Sequence, residues 1–354
     1  MKSVALVALA RPTFDLAYAE RNFQGARALL ADLGVQVVGP ERPIMTPEDV
    51  AAANIPKADL YILLTASFSD ASPAVQLLSK VPGPILGWSM REPGENGERL
   101  KLNSMCGINL AAHALLDNGQ RVRHLHGNFD EPEIRAALQK AINGELPSDQ
   151  TPVSKVGEMA SVEVGEHALK ILASKKIGAI GDAPVGFTPC VYNADQLHKL
   201  FGISTIQIPI NSAFEKLNSV ATTARESAHA SAVSAQPTLQ NVNKEEALKV
   251  AGAEVAFDTW RAEEKLDAIA VRCWPEFPTD LGACVCSALG RISDRGTVTT
   301  CERDVLGAVT MLVCEALGSD QNYLVDIVDI DASKNLIRLW HCGSAATKLA
   351  ADPE

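Results

Sequence analysis

A chain of 354 residues exceeds what one ordinary hydrophobic core organises, so at least two domains are expected. Its 47% hydrophobic and 21% charged residues are the balance of a globular protein, not of a disordered or fibrous one. A formal charge of −11, with no basic stripe interleaved with aromatics, disfavours a nucleic-acid partner, and no apolar run approaches the roughly 18 residues needed to cross a bilayer.

The first stretch, MKSVALVALARPTF, imitates a signal peptide with one lysine and a short apolar run. Val4 to Ala10 is at the short limit for such a segment, and the next residues continue a strand-to-helix pattern, so it reads as the first strand. Phe23, Ala26, Leu30 and Leu33 then mark one helix face that Gly34 ends. Val35 to Val38, Leu60 to Leu64 and Ile85 to Trp88 are further short apolar runs. A helix through Leu110 to Leu116, a strand near Val122 to Leu125 and a helix from about Glu131 to Ile142 complete the series. Such alternation predicts a mainly parallel sheet covered on both faces.

NGELPSDQTP, residues 143 to 152, breaks this pattern with polar, Gly and Pro residues. It sets the expected division: an N-terminal α/β domain over 1–145, a second α/β domain over 146–328, and the beginning of a third over 329–354. Both full domains are expected to be doubly wound and Rossmann-like. In the second, KKIGAIG forms a strand feeding the loop GDAPVGF, and later strands end near Ile208 and Arg272. Gly178, Gly181 and Gly186 do not have the spacing of a dinucleotide fingerprint. Ser219 to Ala235 reads as helix or loop, and apolar periodicity resumes at Ala247 to Val255. The eight cysteines include no C-x-x-C pair and lie mostly in apolar segments, which favours reduced, packing thiols in the cytoplasm; Cys284 and Cys286 are read the same way.

In GTVTTCERDVLGAVTMLVCEAL, residues 296 to 317, Thr297 to Thr300 are β-branched and read as strand, and the run from Val305 to Leu317 has helical spacing. Glu302 thus ends a strand. Tyr323, Leu324 and Val325 are expected to form a second strand ending at Asp326, beside the first through a right-handed crossover, with the strands roughly 5 Å apart. Glu302 and Asp326 would then share an edge. Either Glu302 caps the helix while Asp326 begins a turn, or the two carboxylates hold a hard cation such as Mg²⁺ or Mn²⁺. Arg272 ends the strand LDAIAVR near the same edge, either as a simple salt bridge or to hold a substrate oxygen.

Seven stretches resemble the L-fucose isomerase family and its arabinose isomerase relatives: ARPTFD, GWSMREPG, IGAIGDAPVGFTPCVYN, AIAVRCWPEFPTDLGACVCSAL, CERDVLGAVTMLV, LVDI and LWHCGSAA. They run in family order over nearly the whole chain. The resemblance implies that Glu302 and Asp326 ligate a divalent cation, Mn²⁺ or Mg²⁺ or Co²⁺ in its place, and move protons between C1 and C2 of an open-chain aldose through an enediol. It also implies that Arg11 and Trp88 reach a neighbouring subunit's site in a homo-oligomer, as in a hexamer with interfacial active sites. Against that stand a surface arginine anchored by Asp15 and a core tryptophan. Trp274 and Glu276 are possible sugar contacts, with the alternative that the tryptophan covers the core. The larger fucose isomerases take a third metal ligand from a histidine in a C-terminal domain that this sequence is not expected to reach. His341 is the low-ranking substitute, or a hydrogen-bonded structural histidine. The expected function is a metal-dependent aldose–ketose isomerase. Its rivals are a sugar-binding or regulatory protein on the same fold, and a carbon–carbon lyase or transferase using related enediolate chemistry.

Overall fold

The computed structural model describes residues 1–95, 97–148 and 162–350 and divides the chain into two compact units. The expected boundary at 143–152 lies partly outside the described residues.

The first unit alternates as its sequence does: β1 (Ser3–Leu9), α1 (Leu16–Asp32), β2 (Gln36–Val38), α2 (Pro47–Ala52), β3 (Leu60–Thr65), α3 (Ser72–Leu78), β4 (Ile85–Ser89), α4 (Ser104–Asp117), β5 (Val122–His126) and α5 (Pro132–Ile142). The strands form one parallel sheet in the order β2-β1-β3-β4-β5. Because side chains alternate across a strand, Val4, Leu6 and Ala8 pack on one face with Phe23, Leu30 and Leu138, while Ala5, Val7 and Leu9 pack on the other with Leu78, Ile108 and Leu115. Both faces are covered, so the strands read as continuous apolar runs. Strand order reverses between β1 and β3, which makes the crevice outside their carboxyl ends the natural ligand position.

The second unit repeats the plan: α6 (Val162–Leu172), β6 (Lys176–Ile180), α7 (Ala194–Phe201), β7 (Ser204–Ile208), α8 (Ile210–Ser219), α9 (Thr222–Ala235), α10 (Lys244–Glu264), β8 (Ala268–Val271), α11 (Cys286–Ser293), β9 (Val298–Thr300) and α12 (Val305–Ala316). Its parallel sheet has the order β7-β6-β8-β9, with the reversal between β6 and β8. Ile180, Ile269 and Val271 face Leu217, Phe257 and Leu289; Ile177, Ala179 and Ala270 face Leu172, Leu197 and Leu312. The chain is therefore an α/β protein of two doubly wound parallel sheets. No helix among the described residues is long and apolar enough to cross a membrane.

One expectation fails. Tyr323 to Val325 form no strand, and no partner joins β9 on its free side among the described residues. Asp326 instead opens β10 (Asp326–Asp331), which pairs antiparallel with β11 (Leu336–Trp340), with Asp326 opposite Trp340. The turn explains the preference for a local hairpin. Asp331 Oδ1 accepts from the backbone amides of Ser333 and Lys334 at 3.1 and 3.2 Å, and Asn335 takes the left-handed conformation, with φ 52°. Asp326–Trp340 groups with the first unit, and the described residues from His341 to Ala350 with the second.

Candidate active site

At the carboxyl edge of the first sheet, Arg11 follows β1 at the reversal. Its backbone amide donates to Ser67 Oγ beyond β3 at 3.0 Å, and its guanidinium lies 5.7 Å from the centroid of the Phe68 ring. Trp88 takes the packing alternative. It is 0% exposed in the core, and its indole N–H donates to Gly127 O at 2.9 Å. The following loop is built on a residue that sequence reasoning missed, the buried Glu92, whose carboxylate accepts from the amides of Lys101 (2.5 Å), Leu102 (3.2 Å) and Asn103 (2.7 Å). Beyond it, Arg91 pairs with Glu131 at 2.6 Å and Asp329 at 3.4 Å, and His126 Nε2 bonds Asp329 at 2.5 Å. These contacts fasten the hairpin to its unit.

At the carboxyl edge of the second sheet, Arg272 follows β8 and takes its salt-bridge alternative, making a two-bond ion pair with Glu276: Nε to Oε2 at 2.8 Å and Nη2 to Oε1 at 2.7 Å. Its Nη1 donates to the carbonyls of Asp182 and Ala183, so the arginine ties together the loops after β6 and β8. Glu276, expected as a sugar contact, is thereby the partner that neutralises Arg272. Gly181 makes this approach possible: its φ is +78°, and a Cβ there would lie 2.9 Å from Arg272 Cβ. Trp274 lies in the same loop and is half-buried.

Glu302 follows β9 in an unusual backbone state. Both it and Arg303 are left-handed, with φ 56° and 55°, a conformation that costs on the order of 1–3 kcal/mol for each residue with a side chain. Surrounding bonds impose it. The Glu302 amide donates to Cys273 Sγ at 3.4 Å, the Arg303 amide to Val271 O at 2.9 Å, and the Asp304 amide to Cys301 O at 3.0 Å. Asp304 then caps α12, accepting from the Gly307 amide at 2.7 Å, while burial raises its carboxyl above the usual range. The result is a half-buried glutamate on a strained turn at the carboxyl end of β9.

Thiols surround that turn. The free thiols of Cys273, Cys286, Cys301 and Cys342 cluster there and act on one another's protonation. The hydrogen bond between Cys273 and Cys301 would lower the Cys301 pKa, but burial and the nearby Glu302 carboxylate outweigh it, pushing the thiol up to about 11. Cys286, raised by its bond to Cys273 and by burial, is pushed up to about 12. These are neutral thiols. His341 is held among them: Nδ1 donates to Leu324 O at 2.8 Å, which leaves Nε2 as the acceptor facing Cys301 Sγ at 3.2 Å. With both ring nitrogens engaged, His341 occupies the structural alternative and offers no lone pair to a metal in this arrangement.

Two carboxylates would suit a hard divalent cation. Among the described residues, no three His, Cys, Asp or Glu side chains are arranged to hold a metal. The structure places Glu302 in the second unit and Asp326 at the head of the hairpin grouped with the first.

No protein-family model matches the chain. It is 31% identical over 354 residues to the sulfoquinovose isomerase of Priestia aryabhattai, covering 98% of this chain and 74% of that protein. The sulfoquinovose isomerases of Alkalicoccus urumqiensis and Clostridium sp. (strain MSTE9) are each 30% identical to it, covering 99% and 98% of this chain and 75% and 73% of theirs. The likeness spans both sheets and the loops at their carboxyl edges, and the chain belongs to the family of sugar isomerases that includes the sulfoquinovose isomerases.

Proposed function

We propose that this aldose–ketose isomerase converts a sulfonated hexose, sulfoquinovose, into its 2-ketose through an enediol, with Glu302 moving the proton. The observation that carries the substrate reading is the near-full-length identity to sulfoquinovose isomerases. In the reaction the proton on C2 moves to carbon C1 and the proton of the C2 hydroxyl moves to O1, so that C1 becomes a hydroxymethyl group and C2 the new carbonyl with no net oxidant needed. Glu302 serves as the group that takes the proton from C2 and hands it to C1. Its rigid turn supports that role, because a base held in place needs no reorganisation at the moment of transfer.

The proposal includes a divalent cation, Mn²⁺ with Mg²⁺ or Co²⁺ as substitutes. Glu302 is the donor that the turn prepares, and Asp326 is the donor that the fucose isomerase resemblance adds. When bound, such a cation polarises the substrate carbonyl and acidifies the neighbouring C–H. Arg11 and Trp274 are the proposed sugar contacts, and a homo-oligomer, a hexamer on the same resemblance, is the proposed assembly. The exposed apolar residues Ile327, Leu336, Ile337 and Leu339 on the hairpin support association. The unbridged thiols support a reducing, cytoplasmic compartment.

The test is deuterium incorporation at C2 of sulfoquinovose in D₂O with Mn²⁺, for the native protein, for Glu302→Gln and for a chelated sample. Exchange that falls by about 10³-fold or more in the variant and is lost on chelation is expected. Exchange that persists in Glu302→Gln removes the glutamate from the mechanism, and exchange that persists under chelation removes the metal.

A further inference from the structure

Two arginines lie at the carboxyl edge of the second sheet, and their charges have different fates. Arg272 is neutralised by Glu276 in a two-bond pair. Among the described residues the partners of the Arg303 guanidinium are neutral: Nη1 donates to Cys190 O at 3.3 Å, Nη2 donates to Gln207 Oε1 at 3.2 Å, and its guanidinium carbon lies 4.9 Å from the centroid of the Tyr192 ring. Carbonyl oxygens and an aromatic face orient a guanidinium and stabilise it, but they do not cancel its charge. Asp304, the nearest acid in the chain after Glu302, accepts instead from the Gly307 amide. No carboxylate pairs with Arg303 among the described residues, and its buried Nε has no acceptor. A buried donor left so is destabilising, and an arriving oxygen acceptor would relieve the deficit.

The side chain's path matters as much as its charge. From a backbone hydrogen-bonded to Val271 at the end of β8, it reaches Gln207 on β7, whose own amide donates to Gly181 O beyond β6 at 2.5 Å. The guanidinium therefore spans the point where strand order reverses, where ligands of open α/β sheets gather. Its backbone, like that of Glu302, is held left-handed.

We propose that Arg303 is the specificity residue that binds the anionic, sulfonate end of the substrate. This inference rests on the sulfonated-sugar reading above. A tetrahedral oxyanion offers several acceptors to a planar fork that has positive charge to spare, whereas a neutral sugar offers only hydroxyls. Glu302 and Arg303, adjacent in one rigid turn, then divide the work: one addresses the reacting carbons and the other the charged tail.

The experiment compares kcat/KM for sulfoquinovose and for glucose in the native protein, in Arg303→Met and in Arg303→Lys, with circular dichroism confirming the fold and Arg303→Gln as a second neutral variant should Arg303→Met not fold. The preference for the sulfonated sugar should fall about 30-fold or more in the neutral variant, and lysine should restore part of it. Methanesulfonate should inhibit the native protein competitively and the neutral variant far less. A native protein that isomerises glucose but ignores sulfoquinovose overturns the substrate reading and this inference with it. A native protein that prefers sulfoquinovose, with the same preference surviving in the neutral variant, overturns the inference alone.

Discussion

Replacing Trp88 by phenylalanine separates a packing residue from a substrate contact. The side chain is fully enclosed, among neighbours that include Leu6, Leu64, Leu86 and Leu138, and its only polar atom donates to Gly127 O at 2.9 Å. Phenylalanine keeps the aromatic body but removes roughly 40 Å³, which at ~24 cal/mol per Å³ of unrelaxed cavity amounts to about 1 kcal/mol. The Gly127 carbonyl loses its donor in a water-poor site, adding about 1–3 kcal/mol. A loss of about 2–4 kcal/mol is therefore expected, read as a lower urea midpoint by circular dichroism with the slope unchanged. KM for the sugar, measured where the variant is folded, should not move. A variant that unfolds within about 0.5 kcal/mol of the native protein while KM rises tenfold would show that the indole faces substrate and that the core argument is wrong.

Other consequences are equally direct. Glu254, 7% exposed, accepts from Arg291 at 2.6 Å and Arg295 at 2.8 Å; Glu254→Ala removes the counter-charge of the buried Arg291 and leaves Arg295 only Asp258, at 3.8 Å, and should cost about 3 kcal/mol in denaturant unfolding, whereas a loss below about 0.5 kcal/mol would mean that water already screens the cluster. The thiols predict alkaline sensitivity. Burial and the nearby Glu302 carboxylate push the folded Cys301 thiol up to about 11, against ~8.5 for an unfolded cysteine, so above pH ~8.5 the unfolded chain sheds a proton that the folded one keeps. Stability contributed by that neutral thiol is complete below this pH and is lost as pH rises toward 11, by about 3 kcal/mol. Melting temperatures from pH 7 to 10.5 should fall less in Cys301→Ser, and an identical fall in both proteins would refute the assignment. For the reacting carboxylate, loss of C2 exchange in Glu302→Gln without loss of thermal stability would distinguish a proton carrier from a helix cap.

Much of the fold was legible because its signals are local. Each strand of the first sheet sits within a residue or two of its apolar run, and α9 and α10 cover the stretch read as helix or loop and the one where apolar periodicity resumes. The carboxylate at Glu302 was legible for the same reason: a β-branched run followed by helical spacing leaves the intervening residue at a strand end. The error at Asp326 has the opposite origin. A short apolar run carries no mark of its partner, and the choice between a distant parallel neighbour and a nearby antiparallel one was made by Asp331 and Asn335 in the hairpin turn.

The sequence by itself determined two alternating α/β units, their covered sheets and an acid at the end of β9, because periodicity and turn chemistry act within a few residues. Only the tertiary structure decided that Trp88 is core, that Arg272 is spent on Glu276, that His341 is engaged at both nitrogens, and that Arg303 keeps its charge at the strand reversal. Those outcomes depend on which loops strand order brings to one edge, and that order is set by contacts between residues far apart in the chain.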